Sequence, residues 1–585
     1  MLTAATLLAF SLSPASPGFA PVQEVPQVPG AYRGPEEERT LGVDLEHQTI
    51  GVLGLANRRT GWEFWFEHER ELLLRGEPDF PARAVGEDGR YGGEAWSVQR
   101  RELLLSTLPL LVEALDAAEP AVREAAALAL GRIGYPASQD LLTNLLEDAD
   151  AAVRQATCLG LGLLATPEAE AALRARFEDA SLTAAERSFA AIGLGLSGRT
   201  GAGSTLKLKV LGLGEKETAE SDPLLAQAIV IAAGVHGSRD FVPLLLDLDA
   251  RLVALDDTAS QRLRVAVFQA LGGLGDARAS TAIAAALERA KGDLARAAAQ
   301  ALGRLGEVSA VLPLAAKVRS CHDDECRALC LIAIGRIGGN RAIEELNHLK
   351  PVSGTDEGVH SAWLIANGLT HSKESYERLR NTVLAGSRAS QAAQPVEASA
   401  RAGEETLRGA AAISLGLFGN PQAIEALTAA LEGARDGDPV FQGYLTTALG
   451  LLRTPAAEER LLSLAAEATS LPAEARRGLM LGLGFCATER SGLALARLLV
   501  TDGNAEVRWA GARALAYVRS NDALRVLVED LRTCLDEKQA PARAAHLVLG
   551  LGFLGDVHQG ATLDGLVAGM DFLQESRLLD ALRGY

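Results

Sequence analysis

The run Cys321-His322-Asp323-Asp324-Glu325-Cys326, with Cys330 four residues on, holds the residue types of this chain most able to do chemistry. Thiols, imidazole and carboxylates ligate zinc, and cysteines in an oxidising compartment pair. Three readings stay open. Cys326 and Cys330 are buried thiols beside a solvated turn; Cys321 and Cys326 form a local disulfide; or Cys321, His322, Cys326 and Cys330 hold a metal at a spacing that matches no standard zinc pattern. Glycine motifs also stand out. Gly193–Gly198 and Gly550–Gly555 both spell G-x-G-x-x-G, but a dinucleotide site needs a strand before the motif and a helix after it. Gly198–Thr205 is like a phosphate loop with Ser204 where the lysine should stand. No catalytic residue, cofactor site or metal site is assigned from these motifs.

Two further sets invite function. Arginine recurs as Arg123, Arg154, Arg187, Arg264, Arg327, Arg408, Arg476 and Arg508. One recurring register favours an architectural ladder, pairing with acids or carbonyls of the adjacent repeat, over an anion-binding stripe. In GWEFWFEHERELLLRG, Trp62, Trp65 and Phe66 share one helical face. They read as a cap over the first repeat or as docking aromatics.

The elements that position these residues come from a repeat. AVRQATCLGLGLLA (Ala152–Ala165) restates AVREAAALALGRIG (Ala121–Gly134), and one small residue per copy fixes the register from Gly131 to Gly552. Thirteen copies follow, most of them 31 to 34 residues apart. In the first, Val122, Ala126, Leu130 and Ile133 mark one face of a helix, and the amphipathic LPLLVEALDA precedes it. Each unit is therefore helix, turn, helix. The register glycine either ends the second helix or permits close approach. Longer spacings mark insertions at Gly198–Asp222, Asp247–Arg262 and between Gly368 and Gly416. Insertions map to loops on one face of such stacks.

The D-x-x-V-R-x-A-A-x-A-L-G pattern, seen as Asp150-Ala-Ala-Val-Arg154, resembles the HEAT-repeat superfamily. The short period and the A-L-G-x-I-G ending resemble the HEAT-like repeats named after phycobilisome lyases. The resemblance implies an all-α, right-handed α-solenoid, a superhelix of about 13 helix-turn-helix repeats with second helices on the concave face. At about 9–10 Å per helix layer such a stack is on the order of 120 Å long. Helical-repeat hydroxylases of the deoxyhypusine type carry repeated His-Glu pairs; here one such pair occurs, His68-Glu69, outside the repeats.

The expected organisation is a signal-like segment 1–20, a proline-rich linker 21–40, an aromatic-rich cap region 41–102, the solenoid 103–560 and a capping helix in 561–585. Residues 1–20 have the apolar stretch of an export signal but no basic start. They point to the periplasm or cell envelope, with the cytoplasm as the alternative. No stretch is long and apolar enough to span a membrane. A net charge of -18 lacks the basic footprint of a nucleic-acid binder. The resulting expectation is a monomeric, non-enzymatic scaffold for protein partners, with a bilin-lyase-like or other enzyme of the groove as the alternative.

Overall fold

The computed structural model describes residues 94–557, apart from 215–221, 256, 353–355, 390–397, 435–438, 519 and 538–539. The signal-like segment, the linker, Trp62, Trp65, Phe66 and the expected C-terminal capping helix lie outside the described residues.

Thirteen helix pairs follow one another among the described residues. The first are α1 (Glu94–Leu115) with α2 (Pro120–Ile133), α3 (Gln139–Leu145) with α4 (Ala151–Leu164), and α5 (Pro167–Glu178) with α6 (Ala184–Ser197). Next come α7 (Thr200–Gly212) with α8 (Pro223–Val235), α9 (Phe241–Leu255) with α10 (Thr258–Leu274), and α11 (Ser280–Arg289) with α12 (Gly292–Leu305). Then follow α13 (Val311–Ser320) with α14 (Asp324–Ile337), α15 (Gly339–His348) with α16 (Glu357–Leu369), and α17 (Lys373–Ala389) with α18 (Ala398–Phe418). The last four are α19 (Ala423–Gly433) with α20 (Pro439–Leu452), α21 (Pro455–Ala466) with α22 (Ala473–Cys486), α23 (Glu489–Thr501) with α24 (Ala505–Ala514), and α25 (Asn521–Glu537) with α26 (Pro541–Leu554).

The repeat motif explains how several even-numbered helices begin and end. Its aspartate is the N-cap: the Asp150 carboxylate accepts from the Ala152 and Val153 amides, and Asp222, Asp323 and Asp356 do the same for α8, α14 and α16. Gly134, the last glycine of the first copy, is the left-handed C-cap at φ 63°. The register glycine does the other job. A Cβ on Gly131 would stand 2.5 Å from the Gly160 carbonyl oxygen, and one on Gly303 would stand 2.9 Å from the Ala333 Cα. Even-numbered helices thus meet backbone to backbone, each packed on the next.

This chain of contacts does not stop at the last repeat. α26 packs on α2 as the other even-numbered helices pack on their neighbours, and α25 packs on α1. A Cβ on Gly552 would stand 2.7 Å from the Ala129 Cα, so the seam repeats the contact made inside the stack. The solenoid therefore closes into a ring, and the expectation of an extended stack with an open concave groove is corrected. Each terminal repeat covers the edge of the other. The closing pair is also polar. Arg132 Nη1 donates to Asp556 Oδ2 at 2.9 Å, the two side chains being 1% and 3% exposed. The Arg132 guanidinium lies 4.2 Å from the centre of the Phe553 ring, and the Val557 amide donates to the Arg132 carbonyl at 3.0 Å. Burial, with the Arg508 charge assisting, pushes His546 of α26 down to about 4.

The faces of one inner helix show where each side chain goes. In α16, the Trp363 indole donates to the Leu346 carbonyl of the outer helix α15. Ala366 meets Gly335 of α14, and Gly368 meets Ser414 of α18. The remaining face carries Ser361 and Ile365 and points to the ring axis. Both residues are buried.

Three outcomes are expected in urea denaturation. Gly303→Val costs about 1–3 kcal/mol by overpacking against Ala333, whereas Gly273→Ala, exposed within α10 with nothing within 4 Å of its Cβ, gains roughly 0.5–1 kcal/mol. Asp556→Ala strands the Arg132 charge and costs about 3–5 kcal/mol; an unchanged midpoint would mean that the seam is not part of the cooperative fold.

Candidate functional site

The arginine series lies where the inner helices start. Arg123 donates through Nε and Nη2 to the Asp148 carboxylate at 2.9 and 3.0 Å, and through Nη1 to the Ala117 and Ala118 carbonyls. Arg154 donates to Glu186 at 2.9 Å and to the Asp148 carbonyl at 2.8 Å. Arg476 donates to Asp502 at 2.6 Å, and Arg508 to the Asp502 carbonyl at 3.0 Å. Arg123, Arg154 and Arg476 thus each reach an acid of the following repeat. The others end elsewhere: Arg187 on the Phe177 carbonyl, Arg264 on Asp249, Arg327 on Asp324, and Arg408 on the Val383 carbonyl and over the Phe441 ring. Burial acts to raise the Asp148 carboxyl, but Arg123 outweighs it and holds the group below the usual carboxylate range.

Two contacts of this kind escape the sequence register. Where the series has Ala295, the next residue, Arg296, donates to Asp323 at 3.0 Å and pairs with Glu325 at 2.5 Å. Where it has Ala544, the preceding Arg543 donates to Asp530 at 2.8 Å. A one-residue shift along a helix moves a side chain by about 100°, and a long arginine bridges that difference.

The cysteine run lies at the turn between α13 and α14. Cys321 follows the last residue of α13 and is partly exposed; Cys326 and Cys330 are buried one turn apart on α14; His322 is exposed in the turn. The six cysteines stand as free thiols, Cys321 and Cys326 among them. The three thiols of the run are nonetheless hydrogen-bonded. The bond with Cys330 leads in bringing the Cys326 thiol down to about 7, burial opposing it and the bond with Cys321 assisting. The same bond and burial push Cys330 well up, and burial raises Cys321. Among the described residues no group of three or more His, Cys, Asp or Glu side chains is placed to hold a metal ion. The G-x-G-x-x-G stretches follow no strand: Gly193–Ser197 is the end of α6 and Gly550–Leu554 the end of α26.

Sequence reasoning missed an outer patch. Leu208 and Leu211 of α7 are 71% and 48% exposed, and Val253 and Leu255 of α9 are 51% and 40% exposed. Arg251 of α9 donates to the Leu211 and Leu213 carbonyls at 3.2 and 2.7 Å, which holds the end of α7 against α9. α7 lies within one of the long-spaced stretches and α9 runs into another. α9 has 15 residues where α11, α13 and α15 have 10 each.

With this geometry in view, family models match in two places: HEAT repeats over residues 108–198, and the PBS lyase HEAT-like repeat over residues 407–433. Both matched segments are HEAT-type repeats. Two solved structures are similar to it. One is the complex of CpcE and CpcF of phycocyanin lyase from Nostoc sp. PCC7120, at 20% identity over 41% of this chain and 92% of that chain, with a TM-score of 0.28. The other is human deoxyhypusine hydroxylase in complex with glycerol, at 19% identity over 61% of this chain and 98% of that chain, with a TM-score of 0.22. No curated protein matches the chain. No described helix of this HEAT-repeat ring is long and apolar enough to cross a membrane.

Access, rather than acidity, governs the thiols. In native protein near pH 7.5, iodoacetamide is expected to modify Cys321 at least about tenfold faster than Cys326, whose lower pKa is offset by burial. Peptide mass spectrometry over a time course reads this directly, and modification of Cys326 first would show that the α13–α14 turn opens.

Proposed function

We propose that this ring is a non-enzymatic scaffold that docks a protein partner on its outer wall, at the apolar patch formed by α7 and α9. The observation that carries the reading is the exposure of Leu208, Leu211, Val253 and Leu255 on the adjacent helices α7 and α9. Large apolar side chains grouped on a surface favour burial against a partner. The ring geometry argues in the same direction. Ser361 and Ile365 on the axis side of α16 are buried, whereas the α7–α9 patch on the outer wall is exposed. Arg123, Arg154 and Arg476 bond to acids within the ring, which leaves them poorly placed to bind nucleic acid.

Leu208→Asp combined with Val253→Asp tests the reading. Crosslinked capture from the native cells, compared with unaltered protein, is expected to lose its most enriched protein partner about tenfold or more, while the thermal midpoint stays the same because both positions are exposed. Equal capture by both proteins would remove the patch as the docking site.

A further inference from the structure

We propose that the turn between α13 and α14 is an oxidation site: a hydroperoxide reacts at Cys321, Cys326 closes a disulfide onto it, and Cys330 is the positioning residue for Cys326. Access is the first observation. Cys321 follows the last residue of α13 and is the partly exposed member of the run, whereas Cys326 and Cys330 are fully buried on α14. An oxidant in solvent therefore meets Cys321 before the other two. Contact is the second. The Cys321 and Cys330 thiols both donate to the Cys326 sulfur, so the two sulfurs that would bond already lie against each other. The backbone around them is held. The Cys321 amide donates to the Lys317 carbonyl at 2.9 Å, and the Asp323 amide donates to the Cys321 sulfur. The Asp323 carboxylate caps α14 through the Glu325 and Cys326 amides and accepts from Arg296 of α12 at 3.0 Å. Acidity is the third. Burial pushes the isolated thiols Cys158 and Cys486 up to about 12. Cys326 is no more exposed than either, yet the bond from Cys330, ahead of the opposing burial and with Cys321 and the Lys317 charge assisting against Asp323, brings it down to about 7.

The chemistry follows in two steps. The Cys321 sulfur attacks the outer oxygen of the hydroperoxide; the S–O bond forms, the O–O bond breaks, and the thiol proton leaves with the alkoxide as an alcohol. The Cys326 sulfur then attacks the Cys321 sulfur; the S–S bond forms, the S–O bond breaks, and the hydroxyl leaves with the Cys326 proton as water. Two thiols lose two electrons, and the hydroperoxide takes them to become alcohol and water. Cys330 contributes without reacting. Its S–H favours the thiolate of Cys326, which is the attacking form in the second step. The disulfide ties the end of α13 to the first turn of α14, at the turn that Asp323 and Arg296 already hold.

The experiment treats the reduced full chain with hydrogen peroxide at neutral pH, blocks free thiols with iodoacetamide in denaturant and digests with trypsin without reduction. The peptide Ser320–Arg327 holds Cys321 and Cys326 and no other cysteine. It is expected to lose a pair of hydrogens and to escape alkylation at least about tenfold faster than Cys158 or Cys486 is oxidised. Dithiothreitol is expected to restore both thiols. Oxidation of Cys321 to the sulfinic acid with Cys326 still alkylatable overturns the proposal, and so does oxidation of all the cysteines at one rate. Cys330→Ala tests the positioning role, with dimedone present to trap the sulfenic acid. The trapped fraction is expected to rise about threefold or more at neutral pH and to fall back to the native value as the pH is raised, because Cys326 then ionises without its donor. A trapped fraction that is unchanged, or that stays high at every pH, overturns the role given to Cys330.

Discussion

Inner helices in this protein touch through backbone. Gly131 faces Gly160, Gly162 faces Gly193, and Gly450 faces Gly482, each with a Cβ-to-backbone separation that no larger residue could occupy. Glycine in a helix costs about 0.5–1 kcal/mol relative to alanine, so placing one at nearly every interface has to return more in close packing than it loses in backbone entropy. The return is a short, reproducible step between helices. The outer helices carry larger side chains, such as Leu173 and Phe177, into the wedge between inner ones. Small residues inside and large ones outside give every repeat the same sense of turn, and the sum of those turns brings α26 onto α2.

Closure changes what the ends need. A linear repeat array leaves an apolar edge at each end and requires caps with a polar outer face. Here the edges of the first and last pairs cover one another, and the junction adds a buried ion pair to the glycine contact. Arg132 and Asp556 gain little net stability from pairing, since both lose water. Their value lies in register: a ring closed one residue out of step would bury a lone guanidinium. At the opposite ends of the inner helices, Arg123, Arg154 and Arg476 tie each turn to the acid of the next repeat. The two sets hold the wall at both rims.

A closed wall also redistributes surface. In an open solenoid the concave side is the natural binding face. In the ring Leu128, Ile192 and Ile365 on that side are buried, and an exposed apolar patch lies outside on α7 and α9, the helices drawn from the longer repeats. Insertions in a ring can grow only outward or above the rims, because inward growth would meet the facing wall.

Much of this was legible in residue order. Val122, Ala126, Leu130 and Ile133 mark a helix face because helices repeat every 3.6 residues, and Asp150 before Val153 and Arg154 marks the start of one because a carboxylate there satisfies free amides. Such signals act over a few residues, so thirteen helix pairs and the register of their glycines could be read from the chain alone. Which arginines cross to a neighbour and which leucines stay exposed could not. Those depend on side chains brought together across a turn or between repeats. Ring closure lies furthest from sequence: Arg132 and Asp556 are 424 residues apart, and neither has a local pattern that names the other. Their meeting is set by a small rotation per repeat, summed thirteen times, which only the packed structure decides.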